Sequence, residues 1–202
     1  MKDEGRNIFS VFDQILPRES KENLLNQKSL ALWLTGLSGS GKTTIAIALE
    51  QLLNNKGFIT QVLDGDNIRA GINNNLGFSE ADRTENIRRI AEINKLFVNC
   101  GIITINCFVS PTRAIRAQAK SIIGKNDFLE VFVNTPLEVC EKRDVKGLYA
   151  KARRGEIKNF TGIDSPFEEP SDDFIELKTA NSTPAEAAQQ LYESILTKIT
   201  KR

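Results

Sequence analysis

Histidine is absent from all 202 residues. Chemistry that needs an imidazole, as general base or as metal ligand, is therefore excluded. Cysteine is sparse: Cys100, Cys107 and Cys140 stand far apart, with no CxxC pair. An odd, unpatterned set reads as reduced thiols of a cytoplasmic protein, acting as small buried hydrophobes and not as catalysts. Charge of one sign is lacking as well, since 27 Lys and Arg face 26 Asp and Glu for a net charge of +1. That balance gives no reason to expect a nucleic-acid or membrane surface, although basic residues can still cluster locally. No apolar run is long enough to span a bilayer, and the start, MKDEGRNIFSVFDQILPRES, lacks a signal-peptide core. A soluble, cytoplasmic, single-domain protein is expected.

What is present is an alternation of strand and helix patterns. Residues 1–28 read as a polar arm with one or two short helical pieces, packed on the body or on another subunit. LALWLT (30–35) is a continuous apolar run, as in a strand buried on both faces. Residues 42–55 place Ile45, Ala46, Ala48, Leu49, Leu52 and Leu53 on one helical stripe, stopped near Gly57. FITQVL (58–63) reads as a second strand, ended by DGDN. Ser79, with Asp82 three residues on, should cap a long helix over 79–100. GIITINCFVS, FLEVFV (128–133) and FIELKT (174–179) read as further strands. Helices are expected from Pro111 to Ile123, from Pro136 to about Arg143, and after the capping box Thr183-Pro184-Ala185-Glu186. The fold class is therefore α/β, a mostly parallel sheet with helices on both faces. Between residues 146 and 173 the periodicity fails. A stretch this long, rich in Gly, Pro and charge, is expected to be a lid or binding loop.

Between the first strand and the first long helix stands GLSGSGKT, which fits G-x-x-x-x-G-K-[ST] at Gly36, Gly41, Lys42 and Thr43. Glycines let the backbone wind closely around phosphate, and the turn amides with the helix N-terminus supply positive potential. Lys42 can bridge the β- and γ-phosphates, and the Thr43 hydroxyl can take Mg²⁺. With glycine at roughly 7% of residues, a chance match is on the order of one in a hundred. The flanking strand and helix make an ordinary glycine turn improbable. ATP and Mg²⁺ follow; the acceptor does not. No N-K-x-D is present, no D-x-x-G follows a strand, and INCFVSP ends the third strand without an acid. Those absences disfavour a GTPase or a motor ATPase and favour a small kinase.

The second strand ends at LDGDNIR, on the sheet edge that borders ligands in open α/β folds. Asp64 and Asp66 there suit contact with Mg²⁺ waters, acceptor orientation or proton acceptance. A plain Asp-Gly turn with solvated acids is an equal alternative. Arg69, Arg83, Arg88, Arg89 and Asn86 lie nearby, and arginine forks match anionic oxygens. For Arg88 and Arg89 a solvated helix face is favoured. Phe78 suits stacking on an adenine or a hydrophobic staple. Ser110 is a candidate for phosphate contact or phosphorylation, or a helix N-cap before Pro111. Lys142, Arg143, Lys146, Lys151, Arg153 and Arg154 crowd the lid, where cations closing on a transferring phosphate would offset charge. A charged surface loop is the alternative.

LTGLSGSGKTT, LDGDNIRAGINNNLGFSEADRTENIRRIAE, FVSPTR, VCEKRDVKGLYAKARRGEIKNFTGIDSPFE and the tail LKT together resemble the adenylylsulfate kinase family over about residues 30–200. The resemblance implies a P-loop kinase domain at 29–202 with a lid at about 146–173, behind an arm at 1–28. It implies transfer of a phosphoryl group from ATP to the 3′-hydroxyl of adenosine 5′-phosphosulfate, with Mg²⁺. On the ATP side it implies Gly36, Ser38, Gly39, Ser40, Gly41, Lys42, Thr43 and Thr44, with Arg143; Thr43 takes the metal. On the acceptor side it implies Asp64, Asp66, Arg69, Phe78, Arg83, Asn86, Val109, Ser110, Lys146, Asn159 and Phe160, with Phe78 and Phe160 walling the adenine. Lys42, Asp66 and Ser110 are the implied catalytic set. In the family the counterpart of Ser110 has been regarded as a phosphoserine intermediate, whereas direct in-line transfer needs only positioning and charge stabilisation. Asn159 departs from the family's usual glycine, and residues 1–28 lack the family's usual lead. A stand-alone kinase is expected, with no sulfurylase-like region, no membrane or nucleic-acid partner, and a homodimer by resemblance.

Overall fold

Every residue from Leu30 to Thr35 is buried, as a strand covered on both faces requires. A computed structural model of the chain describes residue 9 and residues 11–201. The elements among them, in chain order, are α1 (Arg18–Leu25), β1 (Ala31–Thr35), α2 (Lys42–Asn55), β2 (Thr60–Asp64), α3 (Gly65–Ala70), α4 (Glu80–Asn99), β3 (Ile103–Cys107), α5 (Arg113–Ile123), β4 (Phe128–Asn134), α6 (Leu137–Arg143), α7 (Leu148–Arg153), β5 (Phe174–Lys178) and α8 (Pro184–Ile199). The five strands form one sheet, wholly parallel, in the order β2-β3-β1-β4-β5.

Alternation along β1 builds two cores. Leu30, Leu32 and Leu34 join Ile45, Leu49 and Leu53 of α2 and Leu191 and Ile195 of α8 on one face. Ala31 and Trp33 join Ile87, Ile90 and Ala91 of α4 and Ile115 and Ala119 of α5 on the other. Truncating one such buried leucine to alanine costs about 2–5 kcal/mol. One polar cluster interrupts the second core: Asn94 and Asn106 exchange side-chain hydrogen bonds of 2.7 and 2.8 Å, and the Thr104 hydroxyl donates to Asn94 Oδ1. All are buried and mutually paired, so the cluster avoids the cost of unsatisfied polar groups.

Most expected elements form, with four differences. The DGDN stretch does not end in a turn: Asp64 is the last residue of β2, and its carboxylate caps α3 by accepting from Asp66 N. The helix expected from Pro111 begins at Arg113, because Thr112 caps it through Ile115 N. The lid region contains α7, whose first turn is held by Asp144, which accepts from the amides of Tyr149 and Ala150. Cys100 is exposed, whereas Cys107 and Cys140 are buried as expected. Part of the arm, residues 1–8 and 10, lies outside the described residues. Residues 18–28 pack on the body, whereas Phe9, Val11, Phe12, Ile15 and Leu16 are exposed: the Gln27 side chain donates to Ile59 O and Gly101 O and accepts from Ile59 N. Arg18 pairs with Asp127 at 2.7 Å. These contacts sit just before β2, β3 and β4, at the amino ends of the strands and opposite the site.

Candidate active site

The carboxyl ends of β1, β2 and β3 and the lid enclose a cleft of about 870 Å³. The loop from Gly36 to Gly41 forms its floor, and its conformation demands glycine. At Gly36 (φ +150°) an added Cβ would sit 2.6 Å from Val133 O, and Gly41 (φ +102°) is in the left-handed region. Thr135 donates to Ser40 O from below, at 2.9 Å. Arg143 donates to the carbonyls of Gly39, Ser40 and Thr179, tying the loop to the segment between β5 and α8. Tyr149 of α7 donates to Ser38 O at 2.8 Å, so the lid helix rests on the same loop. Lys42 is buried, and its ammonium donates to Gly36 O (2.9 Å) and Leu37 O (2.7 Å). Burial pushes its pKa down to about 8, which still leaves it protonated at neutral pH.

A chain of polar contacts leads from this loop to the lid. Thr43 Oγ1 donates to Asp64 Oδ2 at 2.7 Å. Asp64 Oδ1 accepts from Asp66 N at 3.0 Å. The Asp66 carboxylate pairs with Lys146, both side chains being exposed to the cleft. Asp64 is thus held at Thr43 while the Asp66 side chain meets Lys146.

The opposite wall is aromatic and cationic. The Arg69 guanidinium lies 4.4 Å from the centroid of the Phe78 ring and donates to Gly77 O at 2.7 Å. Phe78 is 69% exposed, too open for a staple, and lines the cleft. Arg83 donates to Phe78 O and Asn159 O, each at 2.9 Å, linking the start of α4 to the lid. Asn86 is buried and accepts from Asn73 Nδ2. Phe160 packs edge-on against Tyr149 at 5.0 Å and also faces the cleft. Asn159 has φ +57°, the left-handed region where Asn is the best substitute for glycine. Asp164 fixes this bend by accepting from the amides of Asn159 and Phe160, which also lowers its own pKa.

Of the ATP-side and acceptor-side residues named from sequence, all but Gly36 and Asn159 line the cleft. Arg88 and Arg89 pair with Glu85 outside the cleft, as a solvated face does. Arg153 and Arg154 pair with Glu141 and Glu156, also away from it. Ser110 differs most from expectation. Its hydroxyl is buried, accepts from Trp33 Nε1 (3.1 Å) and donates to Thr35 Oγ1 (3.1 Å). It is not the N-cap of α5, and its hydroxyl is turned into the protein. Thr179, Ser182, Thr183 and Pro184 also line the cleft. The capping box at Thr183 marked a helix start, and its position after a strand's carboxyl end was the signal that it also faces the cleft.

The buried thiols are inert by the same geometry. Burial pushes the Cys107 thiol up to about 12 and raises that of Cys140. Iodoacetamide at pH 8 is therefore expected to label Cys100 and to leave Cys107 and Cys140 unlabelled, as peptide mass mapping of the folded protein would read. Alkylation of Cys107 in folded protein would contradict the buried placement.

Comparison with known proteins agrees with this geometry. The family model for adenylylsulphate kinase matches residues 28–178. An adenylyl-sulfate kinase of Bacteroides thetaiotaomicron is 60% identical over 200 residues, covering 99% of this chain and 100% of that protein. The structure of the Mycobacterium tuberculosis APS kinase in complex with AMPPNP and APS superposes with a TM-score of 0.80 at 45% identity, over 84% of this chain and 98% of that one. A hexameric APS kinase from Thiobacillus denitrificans superposes with a TM-score of 0.64 at 26% identity, over 86% of this chain and 30% of that one. A glycine-built phosphate loop facing an arginine- and phenylalanine-lined wall, on a chain so matched along its length, places this protein in the adenylylsulphate kinase family.

Proposed function

We propose that this chain transfers the γ-phosphoryl group of ATP to the 3′-hydroxyl of adenosine 5′-phosphosulfate, giving ADP and 3′-phosphoadenosine 5′-phosphosulfate. The observation that carries the reading is one cleft lined both by the Lys42 loop and by Arg69, Phe78, Arg83 and Asn86. The loop amides and Lys42 take the β- and γ-phosphates. Arg143, Thr179 and residues 182–184 border the rest of ATP. Phe78 and Phe160 offer flat apolar faces to the acceptor's adenine, and Arg69 and Arg83 offer forks to its phosphate and sulfate oxygens.

The residues also fit Mg²⁺. Among the described residues no three acidic or thiol side chains cluster to cage a metal. Thr43 and Asp64, a hydroxyl and a carboxylate in contact, suit an ion that keeps waters and takes phosphate oxygens. Mg²⁺, when bound, would neutralise charge between the β- and γ-phosphates. Thr43 would hold it directly, and Asp64 would orient its waters.

Asp66 accepts the proton of the 3′-hydroxyl as its oxygen bonds to the γ-phosphorus. The bond from that phosphorus to the β,γ-bridging oxygen breaks, and ADP leaves with the electron pair. Lys146 moves from Asp66 toward the transferring group as the acceptor enters. Ser110 takes no covalent part, because its hydroxyl already serves Trp33 and Thr35. A cytoplasmic setting and a homodimer belong to the same reading. No helix among the described residues is long and apolar enough to cross a membrane.

The test is coupled ADP release with adenylylsulfate, followed by mass identification of the product. Release of ADP with appearance of the 3′-phosphorylated nucleotide is expected. Turnover with AMP, gluconate or shikimate in its place would replace the reading with another small-molecule kinase. ATP binding without turnover on any acceptor would make the protein a sensor.

A further inference from the structure

One charged side chain outside the cleft is as buried as the core leucines. Arg116, on α5, is 2% exposed. Its fork makes one ion pair and two hydrogen bonds. Nε meets Glu130 Oε1 of β4 at 2.5 Å. Nη1 donates to Ser110 O at 2.8 Å, and Nη2 donates to Glu168 O at 2.7 Å. The guanidinium also lies 5.6 Å from the Phe167 ring, which stacks on Phe132.

Stability alone does not explain a buried arginine here. A buried ion pair is often no better than well-packed apolar residues of the same volume, because desolvation offsets the attraction. What apolar residues cannot supply is direction. The two carbonyls held by Arg116 belong to different parts of the acceptor side. Ser110 O belongs to the turn after β3, where Ser110 has φ +37° and Val109 and Ser110 border the cleft. Glu168 O belongs to the descending stem of the lid, just beyond Ile157, Lys158, Phe160 and Thr161, which line the cleft. The same two segments are joined by Glu168 N to Pro111 O (2.8 Å), by Arg113 N to Glu168 Oε2 (2.7 Å) and by Arg113 Nε to Glu169 O (2.8 Å). Arg116 is the buried centre of this clamp. The ATP side, from Gly36 to Thr44 with Arg143 and Thr179, makes none of these contacts.

We infer that Arg116 is a positioning residue for the acceptor: its fork fixes the spacing between the Ser110 turn and the lid stem, and so the width of the acceptor half of the cleft. The inference rests on the acceptor assigned above. A misplacement of about 1 Å in a positioning group can cost up to roughly 100-fold. Acceptor binding should suffer while ATP binding does not.

Three variants separate positioning from bulk stability. Arg116→Met combined with Glu130→Gln removes both charges of the pair at similar volume. Arg116→Lys keeps the charge and loses the fork. Glu130→Gln alone keeps both carbonyl contacts and an acceptor for Nε. KM for adenylylsulfate, KM for ATP, kcat and Tm are measured for each. The double variant and Arg116→Lys are expected to raise the adenylylsulfate KM by roughly tenfold or more, with the ATP KM within about twofold of wild type. Glu130→Gln is expected to keep the adenylylsulfate KM near wild type. An unchanged adenylylsulfate KM in folded Arg116→Lys overturns the inference. So does a rise in both KM values together, or a rise in Glu130→Gln as large as in Arg116→Lys. If every Arg116 variant is unfolded by Tm, the role is general stability and the inference also fails. Wild-type protein that cannot phosphorylate adenylylsulfate overturns the functional reading itself, an outcome visible before any variant is made.

Discussion

Lys42→Ala is expected to lower kcat by about 1,000-fold or more, since a preorganised donor to developing charge is worth about 10²–10³ even without a full positive charge. The geometry explains why no neighbour can substitute. Lys42 is buried at the start of α2, and its ammonium is surrounded by Gly36 O, Leu37 O and Ser40 Oγ. Arg143, another cation touching the loop, is committed to the carbonyls of Gly39, Ser40 and Thr179, and Lys146 is paired with Asp66. Alanine also takes the ammonium from Gly36 O, at a cost of about 1–3 kcal/mol, while Leu37 O keeps the Ser40 amide. Loss of activity must therefore be separated from loss of fold. Lys42→Met keeps the aliphatic stem and its packing and removes the ammonium with its charge and donors, so it should match Lys42→Ala in kcat while staying closer to wild type in Tm. Lys42→Arg should fail too, because a planar fork does not fit a site shaped for a compact ammonium. Turnover within tenfold of wild type in folded Lys42→Met would remove Lys42 from the transition state.

That loop could be read in the sequence because its constraint is on backbone shape. Glycine at positive φ and a lysine at a helix start leave a mark at fixed spacing, and Gly36, Gly41 and Lys42 carry it. The first strand was legible for a similar reason. A strand buried on both faces reads as a near-continuous apolar run, and ALWL of β1 does, although β3, equally buried, carries Thr104 and Asn106. The two six-residue helices were not legible. Six residues give less than two turns, too few for a periodic stripe, and both α3 and α7 are started by an Asp side chain that also reads as a turn residue. Contacts between distant residues were the least legible. Thr43 and Asp64 are 21 residues apart, Asp66 and Lys146 are 80 apart, and Arg116 meets Glu168 across 52. Only the order of strands in the sheet brings these pairs together. Ser110 shows the converse. Its sequence position at a strand's carboxyl end was read correctly, but its hydroxyl direction depends on Trp33 and Thr35 of the adjacent strand.

Asp66→Asn is expected to lower kcat by about 10²–10⁴, the usual range for a positioned general base. Asparagine keeps the size, the start of α3 and the backbone contact to Asp64, but it cannot take a proton. Two roles are available to Asp66 in this geometry. It can accept the acceptor's proton, or it can merely latch the lid through Lys146. An exposed ion pair of this kind contributes little by itself, so a latch would be weak. The two roles separate in a double-mutant cycle with Lys146→Met. If Asp66 acts only through the pair, either single change removes the whole effect, and the double variant is no worse than Asp66→Asn. If Asp66 is the base, Asp66→Asn lowers kcat far more than Lys146→Met, because the latter leaves the proton acceptor in place. Lys146→Met should then act on its own step, raising the acceptor KM and lowering kcat modestly as the lid loses its cation. ATP affinity is the internal control. Neither side chain contacts the loop from Gly36 to Gly41, so nucleotide binding should stay within about twofold in all three variants. Equal losses in Asp66→Asn and Lys146→Met, with no further loss in the double variant, would assign Asp66 to lid closure and leave the proton to a water.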